Sequence, residues 1–178
     1  MNELVGVLPA AGRGTRLGAT PCSKEIMPLG FQLQSSEGRS SWQPVTAIET
    51  HLRALRLAGA RRAVIVVGES KFDIVRYLGS GARYGLSITY LYQEQLQGMP
   101  FALDLAAPWI GSQTTLFSMP DTLITPTDTM ARVAAFHRAS AADLTLGLFS
   151  TLAPHKFGMV ELDQQGRVHY FVDKPVNS

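Results

Sequence analysis

The chain has 178 residues, 46% of them hydrophobic and 17% charged, with a formal net charge of +2. That is enough apolar material for one domain with a real core, and too much for a disordered chain. The small charge and the lack of a concentrated basic stripe argue against nucleic-acid binding, and no apolar run reaches the ~20 residues of a membrane span. The one cysteine, Cys22, cannot form an internal disulfide and suits a reducing compartment. Residues 3–9 are apolar but meet Gly12, Arg13 and Arg16 too early for a secretory h-region with a cleavage site, so a cytoplasmic location is expected. The four histidines are scattered without metal-ligand spacing.

In chain order, "LVGVLPA" (4–10) is a short apolar run broken by glycine and proline, as in a buried parallel strand. A Gly-rich segment follows. "FQLQSSEGRSSWQ" (31–43) is polar and Ser-rich, and reads as a surface loop or insertion. Residues 44–60 have helical periodicity, with Val45, Ile48, Leu52 and Leu55 on one face, Pro44 near the start and Gly59 at the end. Residues 61–70 hold a β-branched strand, "KFDIVRYLGSG" a short helix closed by Gly79, and 86–92 another strand. Residues 99–110 read as helical up to Pro108, and "TTLFSMPD" (114–121) as a strand that delivers Asp121 at its carboxyl end. A helix over 127–141, with Thr127 or Asp128 as its cap, precedes an expected strand over 143–150. Residues 157–175 read as two strands joined by a turn around Gln164–Gly166. Strands alternating with helices predict an α/β layered fold with a largely parallel sheet. Ligands of such sheets bind beyond the carboxyl ends of the strands, at a topological switch point, and both the Gly-rich segment and Asp121 can reach that edge.

The Gly-rich segment matches neither a dinucleotide fingerprint, since residue 17 is Leu, nor a Walker A loop, since Ser23 and Lys24 stand in the wrong order. Its physical content is still that of an anion cradle. Gly12 and Gly14 allow a sharp turn and close backbone approach to a phosphate, Arg16 adds a planar fork, and Lys24 a mobile point charge. Taken alone, such a glycine pair is more often an ordinary strand-exit turn with solvated basic residues.

Further motifs bear on that choice. "GRGTRL" (12–17) followed by "PCSKEIMP" (21–28) resembles the signature of the sugar-nucleotide pyrophosphorylases, nucleotidyltransferases of the glucose-1-phosphate thymidylyl- and uridylyltransferase type. The Gln93-to-Gly98 spacing, the Asp in "FSMPD", "FGMVELDQQGRV" and "VDKP" follow in that family's order, so the resemblance covers nearly the whole chain. It implies a Rossmann-like three-layer α/β sandwich with a mostly parallel mixed sheet, built as a single domain over residues 1–178.

The implied reaction is attack of a sugar 1-phosphate oxygen on the α-phosphorus of a nucleoside triphosphate, with Mg²⁺ as cofactor and pyrophosphate leaving. Arg16 and Lys24 would be catalytic. Leu8, Ala10, Ala11, Gly12, Gly14 and Thr15 would hold the nucleotide. Gln93 would read the base, with Gly98 letting it sit close to backbone; a solvated residue at a strand end is the plainer reading of Gln93. Asp121 would bind the metal, although a turn aspartate or a helix cap would use the same residue. It follows Pro120 where the family has Gly. Gly158, Asp173 and Lys174 would bind the sugar phosphate, with Asp173 standing where the family more often has Glu. Cys22 and the histidines receive no role. Family members continue past "DKP" to a second metal-binding aspartate, so a truncated chain is expected, and a catalytically weak or inactive nucleotide- or sugar-phosphate-binding relative is the alternative. Neither nucleic acid nor membrane is an expected partner, and a homo-oligomer is left open.

Overall fold

A computed structural model of the chain describes residues 3–36 and 38–175; the side chains of Arg16 and Ser36 lie outside the described set. Strand β1 (Leu4–Ala10) leads through a 3-10 turn (Thr15–Leu17) and a second one (Lys24–Ile26) into the hairpin β2 (Pro28–Ser36) and β3 (Arg39–Thr46). Helix α1 (Ala47–Leu57), β4 (Arg62–Val67), α2 (Phe72–Leu78) and β5 (Ser87–Tyr92) follow. Then come α3 (Met99–Ile110), β6 (Thr114–Phe117), α4 (Thr129–Ser140), β7 (Gly158–Leu162) and β8 (Val168–Asp173). The chain divides between Thr145 and Leu146 into two compact units.

In the first unit, four strands form a parallel sheet in the order β5-β4-β1-β6. Alternation along its strands builds two cores. Leu4, Leu8, Ala10, Ala63, Ile65 and Val67 face α1, α2 and α4 through Ile48, Leu52, Leu55, Ile74, Leu78, Met130 and Ala134. Val5, Val7, Val64 and Val66 face α3 through Ala102 and Ala106. Helices thus cover both faces of the sheet, the three-layer arrangement of doubly wound α/β folds. Each fully buried Ile or Leu on α1 contributes on the order of 2 kcal/mol by leaving water. Gly6 lets α1 lie close, since a Cβ there would fall 2.4 Å from Leu55 Cδ1.

Several boundaries differ from the sequence expectations. The Ser-rich stretch 31–43 is the greater part of an antiparallel hairpin in which Phe31 pairs with Pro44 and Leu33 with Trp42. Its serines mask a period-two alternation of apolar and polar residues. Helix α1 begins at Ala47, and Pro44 belongs to β3. Thr46 caps the helix in a capping box, its side chain meeting the N3 backbone while Glu49 reaches back to the Thr46 N–H. Helix α3 runs past Pro108 to Ile110, because the proline sits in the last turn. Strand β6 ends at Phe117, so Asp121 lies in the turn beyond it. Residues 143–150 form no strand. Their alternation marks two faces of an extended segment, but a strand also needs a ladder partner, which periodicity cannot supply.

The second unit holds β7 and β8, an antiparallel pair with a register shift between Glu161 and Leu162. Asp163 organises the connecting turn, its Oδ1 accepting from the backbone N–H of Gln165 and Arg167 and its Oδ2 from Arg167 Nε. The backbone bond from Arg167, with the other donors, holds the Asp163 carboxyl below the usual carboxylate range.

Candidate nucleotide-binding and transfer site

Strand β1 lies between β4 and β6, and the chain visits β4 and β5 on one side before crossing to β6 on the other. The crevice beyond the carboxyl ends of β1 and β6 is therefore the switch point at which such sheets take their ligands. The Gly-rich segment leaves β1 there and the Asp121 turn leaves β6 there. The two are tied at their roots by the Ser118 N–H, which donates to the Val7 carbonyl at 3.1 Å.

Of the residues expected to hold nucleotide, Leu8 and Ala10 are buried in the core, so only their backbone could touch a ligand. Ala11 is buried, and its carbonyl lies against Gly68 at the end of β4, where a Cβ would come within 2.9 Å. Gly14 adopts a left-handed conformation (φ 67°) as it caps the first 3-10 turn, which carries Thr15 and the backbone of Arg16. The Arg16 side chain lies outside the described residues. Gly12 is exposed, and a Cβ there would meet nothing within 4 Å. No contact of the described fold demands glycine at that position.

Lys24 and Asp121 come together. Lys24 Nζ donates to Asp121 Oδ2 at 2.5 Å, with the two side chains 21% and 26% exposed. A pair this accessible is worth about 1 kcal/mol or less, so it can be exchanged for better partners. Gly14 lies alongside, a Cβ there falling 3.6 Å from Lys24 Cδ.

The Lys24 segment is held from below by Ser23 and Glu25 of its own motif and by Lys71 and Asp73, which no site motif singles out. Glu25 and Lys71 are 1% and 3% exposed and form a 2.8 Å ion pair. Ser23 donates through its backbone N–H to Asp73 Oδ2 at 2.7 Å and through its hydroxyl to Oδ1 at 2.6 Å. Burial pushes the Asp73 carboxyl up, but the two Ser23 bonds, the Ile74 N–H and nearby Lys71 outweigh it and hold the group below its ordinary value. Lys71 and Asp73 lie where β4 gives way to α2, so the Lys24 segment is bolted to the neighbouring β–α connection. The partners are 46 and 50 residues apart in sequence, and no local pattern announces them.

Asp121 stands in a turn closed by the Thr122 N–H donating to the Met119 carbonyl at 3.1 Å. Pro120 occupies the second position of that turn, the one a proline favours, which accounts for a proline where the family pattern has glycine. Helix α4 is preceded by Asp128 as its N-cap residue, so Asp121 is not a helix cap.

Gln93 follows β5 at the same sheet edge, its N–H donating to the Val67 carbonyl at 2.8 Å. It is 8% exposed, hence no solvated strand end, and its Nε2 has no hydrogen-bond partner among the described residues. Gly98, with φ 103°, precedes α3 and is exposed. Cys22 is a half-buried free thiol.

In the second unit, Gly158 pairs with Asp173 across the hairpin. A Cβ on Gly158 would press to 2.9 Å from the Phe171 ring, so this glycine has a packing reason of its own. Lys174 has φ 47°, the left-handed region, and its N–H donates to the Phe157 carbonyl at 3.1 Å. Its Nζ lies 3.8 Å from Asp173 Oδ2.

No group of three or more Asp, Glu, His or Cys side chains that could hold a metal ion occurs among the described residues. A lone carboxylate fits Mg²⁺ in one way only: the ion keeps waters and takes its remaining ligands from phosphates.

The chain is 32% identical over 125 residues to a glucose-1-phosphate thymidylyltransferase of Streptomyces antibioticus, a match covering 70% of this chain and 35% of that protein. It is 30% identical over 177 residues to the bifunctional protein GlmU of Pelobacter propionicus, covering 98% of this chain and 34% of the relative. The chain thus spans about a third of the length of these curated relatives. A solved Bacillus anthracis structure, assigned as a glucose-1-phosphate thymidylyltransferase and bound to sucrose, shares the fold with a TM-score of 0.78 at 23% identity, over 97% of this chain and 65% of that one. The sequence profile described as "Nucleotidyl transferase" matches residues 5–178, and the chain belongs to that family.

Proposed function

We propose that the chain is the nucleotidyl-transfer part of an enzyme that joins a pyrimidine nucleoside triphosphate to a sugar 1-phosphate, releasing pyrophosphate. The observation that carries this reading is Gln93. Its buried Nε2 has no acceptor among the described residues, a lack that costs about 1–3 kcal/mol, and it stands at the carboxyl edge of a family member's sheet. A thymine or uracil base meets the need, since Nε2 can donate to O4 while Oε1 accepts from N3–H.

The remaining residues fall into roles that need only positioning and charge neutralisation. The backbone around Ala11, Gly12, Gly14 and Thr15 cradles phosphates, and the absence of a Cβ at Gly12 leaves room for them. Lys24 exchanges the Asp121 carboxylate for oxygens of the α-phosphate and neutralises charge as the new bond to phosphorus forms. Arg16 pairs with the departing pyrophosphate as the bond from the α-phosphorus to the bridging oxygen breaks. Asp121, released by Lys24, would hold Mg²⁺ together with waters and phosphates; the ion, when bound, supplies charge neutralisation on the phosphate oxygens. Gly158, Asp173 and Lys174 are assigned to the sugar phosphate. The strained backbone of Lys174, a non-glycine residue in the left-handed region ahead of Pro175, supports a functional constraint there. The reaction needs no membrane, and no described helix is long and apolar enough to cross one.

The test is Mg²⁺-dependent pyrophosphate release from dTTP, UTP, CTP, GTP and ATP, each with a pool of hexose 1-phosphates. Release with dTTP or UTP, requiring sugar phosphate and metal and lost in Asp121→Ala, is the expected result. Binding of triphosphate without turnover would identify a relative that keeps the cradle and has lost transfer.

A further inference from the structure

We propose that His51, on α1, is a positioning residue that sets the Asp121 turn, a role that rests on the function proposed above. The ring is 1% exposed and spans the root and the end of the turn. Its Nε2 lies 2.5 Å from the Thr122 carbonyl and its Nδ1 lies 2.9 Å from Ser118 Oγ.

The chemistry of these partners fixes the proton. A carbonyl oxygen can only accept, so Nε2 carries the hydrogen and donates it to Thr122. Burial lowers the ring's affinity for a second proton, which leaves Nδ1 as an acceptor for the Ser118 hydroxyl. His51 is therefore one neutral tautomer, held at both nitrogens.

The turn needs such a brace. Ladder support from β1 ends at the Ser118 N–H, and β6 itself stops at Phe117. Past that point the backbone leaves the sheet, and the imidazole takes over as a rigid strut from α1. That helix is itself anchored by Ile48, Leu52 and Leu55, each 0% exposed. A residue chosen only to fill this space would be apolar, because an imidazole buried beside α1 loses its water and recovers the loss only through Ser118 and Thr122. Asp121 lies between those two contacts in sequence, so holding both constrains the backbone that carries its carboxylate. Outer partners of metal-facing groups commonly change affinity by ~10–100-fold when removed.

Two measurements decide the matter. Side-chain ¹⁵N spectra of the labelled protein at pH 7.5 should show His51 as the Nε2–H tautomer; the Nδ1–H form, or a rapid average of the two, would overturn the brace without reference to activity. The second is triphosphate binding by calorimetry with dTTP and UTP, as a function of Mg²⁺ concentration. His51→Leu should weaken the Mg²⁺-dependent part about tenfold, His51→Gln, which keeps a donor near Thr122, should recover much of it, and sugar phosphate affinity should not move. Ser118→Ala, which removes only the donor to Nδ1, should fall between wild type and His51→Leu, and it serves if His51→Leu does not fold. Folded variants with wild-type Mg²⁺ dependence, or a Gln variant as impaired as Leu, would overturn the role. A wild-type protein that binds neither triphosphate overturns the proposed function and this role with it, and the tautomer alone then decides whether the brace exists.

Discussion

The segment carrying Lys24 and the hairpin β7–β8 are held by opposite means. Beneath Lys24 lie Glu25 and Lys71, paired at 2.8 Å and almost wholly buried, with Asp73 gripping Ser23 through both carboxylate oxygens. The hairpin instead relies on its own ladder and on Asp163 within its turn, and Tyr170 and Phe171 are 53% and 60% exposed. Charges buried in the first case join distant parts of the chain, so disturbing one is felt throughout that unit. In the second the bonds are local, and a defect stays local. Lys24 thus sits on a base of buried charge, while the residues assigned to sugar phosphate sit on or beside a hairpin braced by its own ladder and turn.

The largest effect should come from breaking the short buried ion pair. Lys71→Met leaves Glu25 only the longer 4.0 Å contact with Lys24 Nζ and is expected to cost about 3 kcal/mol, a drop in Tm of roughly 10 °C for a chain of this size. Thermal melts should also show that adding Glu25→Leu recovers part of the loss. No loss in the single variant would contradict the account of this base.

A smaller effect, with a pH signature, is expected at Asp73. Its folded-state pKa is depressed, so its contribution is present above the ordinary carboxylate value near ~4 and is lost as pH falls through the lower folded value. The gap in Tm between wild type and Asp73→Asn should therefore be widest near neutrality and narrow below about pH 4. A gap that persists undiminished in strongly acidic buffer would mean that the carboxylate's charge is not what holds Ser23.

The smallest global effect belongs to the hairpin. Gly158→Ala pushes a methyl toward Phe171, whose exposed ring can yield, so overall stability should change by less than about 1 kcal/mol. The KM for sugar phosphate should rise while triphosphate affinity stays put. A matching loss of triphosphate affinity would break the distinction between the two regions.

What the sequence makes legible here is what is local. β1, β4 and β5 announce themselves as β-branched or apolar runs, α2 by its periodicity and Gly79, and the final hairpin by Gly166. The capping box Thr46–Glu49 is equally readable, as a Thr followed three residues later by Glu, although Pro44 competes with it as a marker of the helix start. The alternating leucines of 143–150 suggest a strand, but whether a strand forms depends on a partner elsewhere. Fold logic alone suffices to place the Gly-rich segment and Asp121 at one sheet edge. It does not reach the layer beneath: Ser23 with Asp73, Glu25 with Lys71 and His51 with Thr122 each join residues 46 to 71 positions apart. A histidine inside an amphipathic helix reads as one more buried side chain until its two partners are seen.

The central claim is that the sheet edge beyond β1 takes a pyrimidine nucleoside triphosphate whose base is read by Gln93. Calorimetric titration of dTTP, UTP, CTP and ATP into wild type and Gln93→Leu tests it most directly. The account predicts tightest binding of dTTP or UTP, a loss of that preference in Gln93→Leu, and little change for ATP. Equal binding of all four by wild type, or an unaltered preference in the variant, would contradict it.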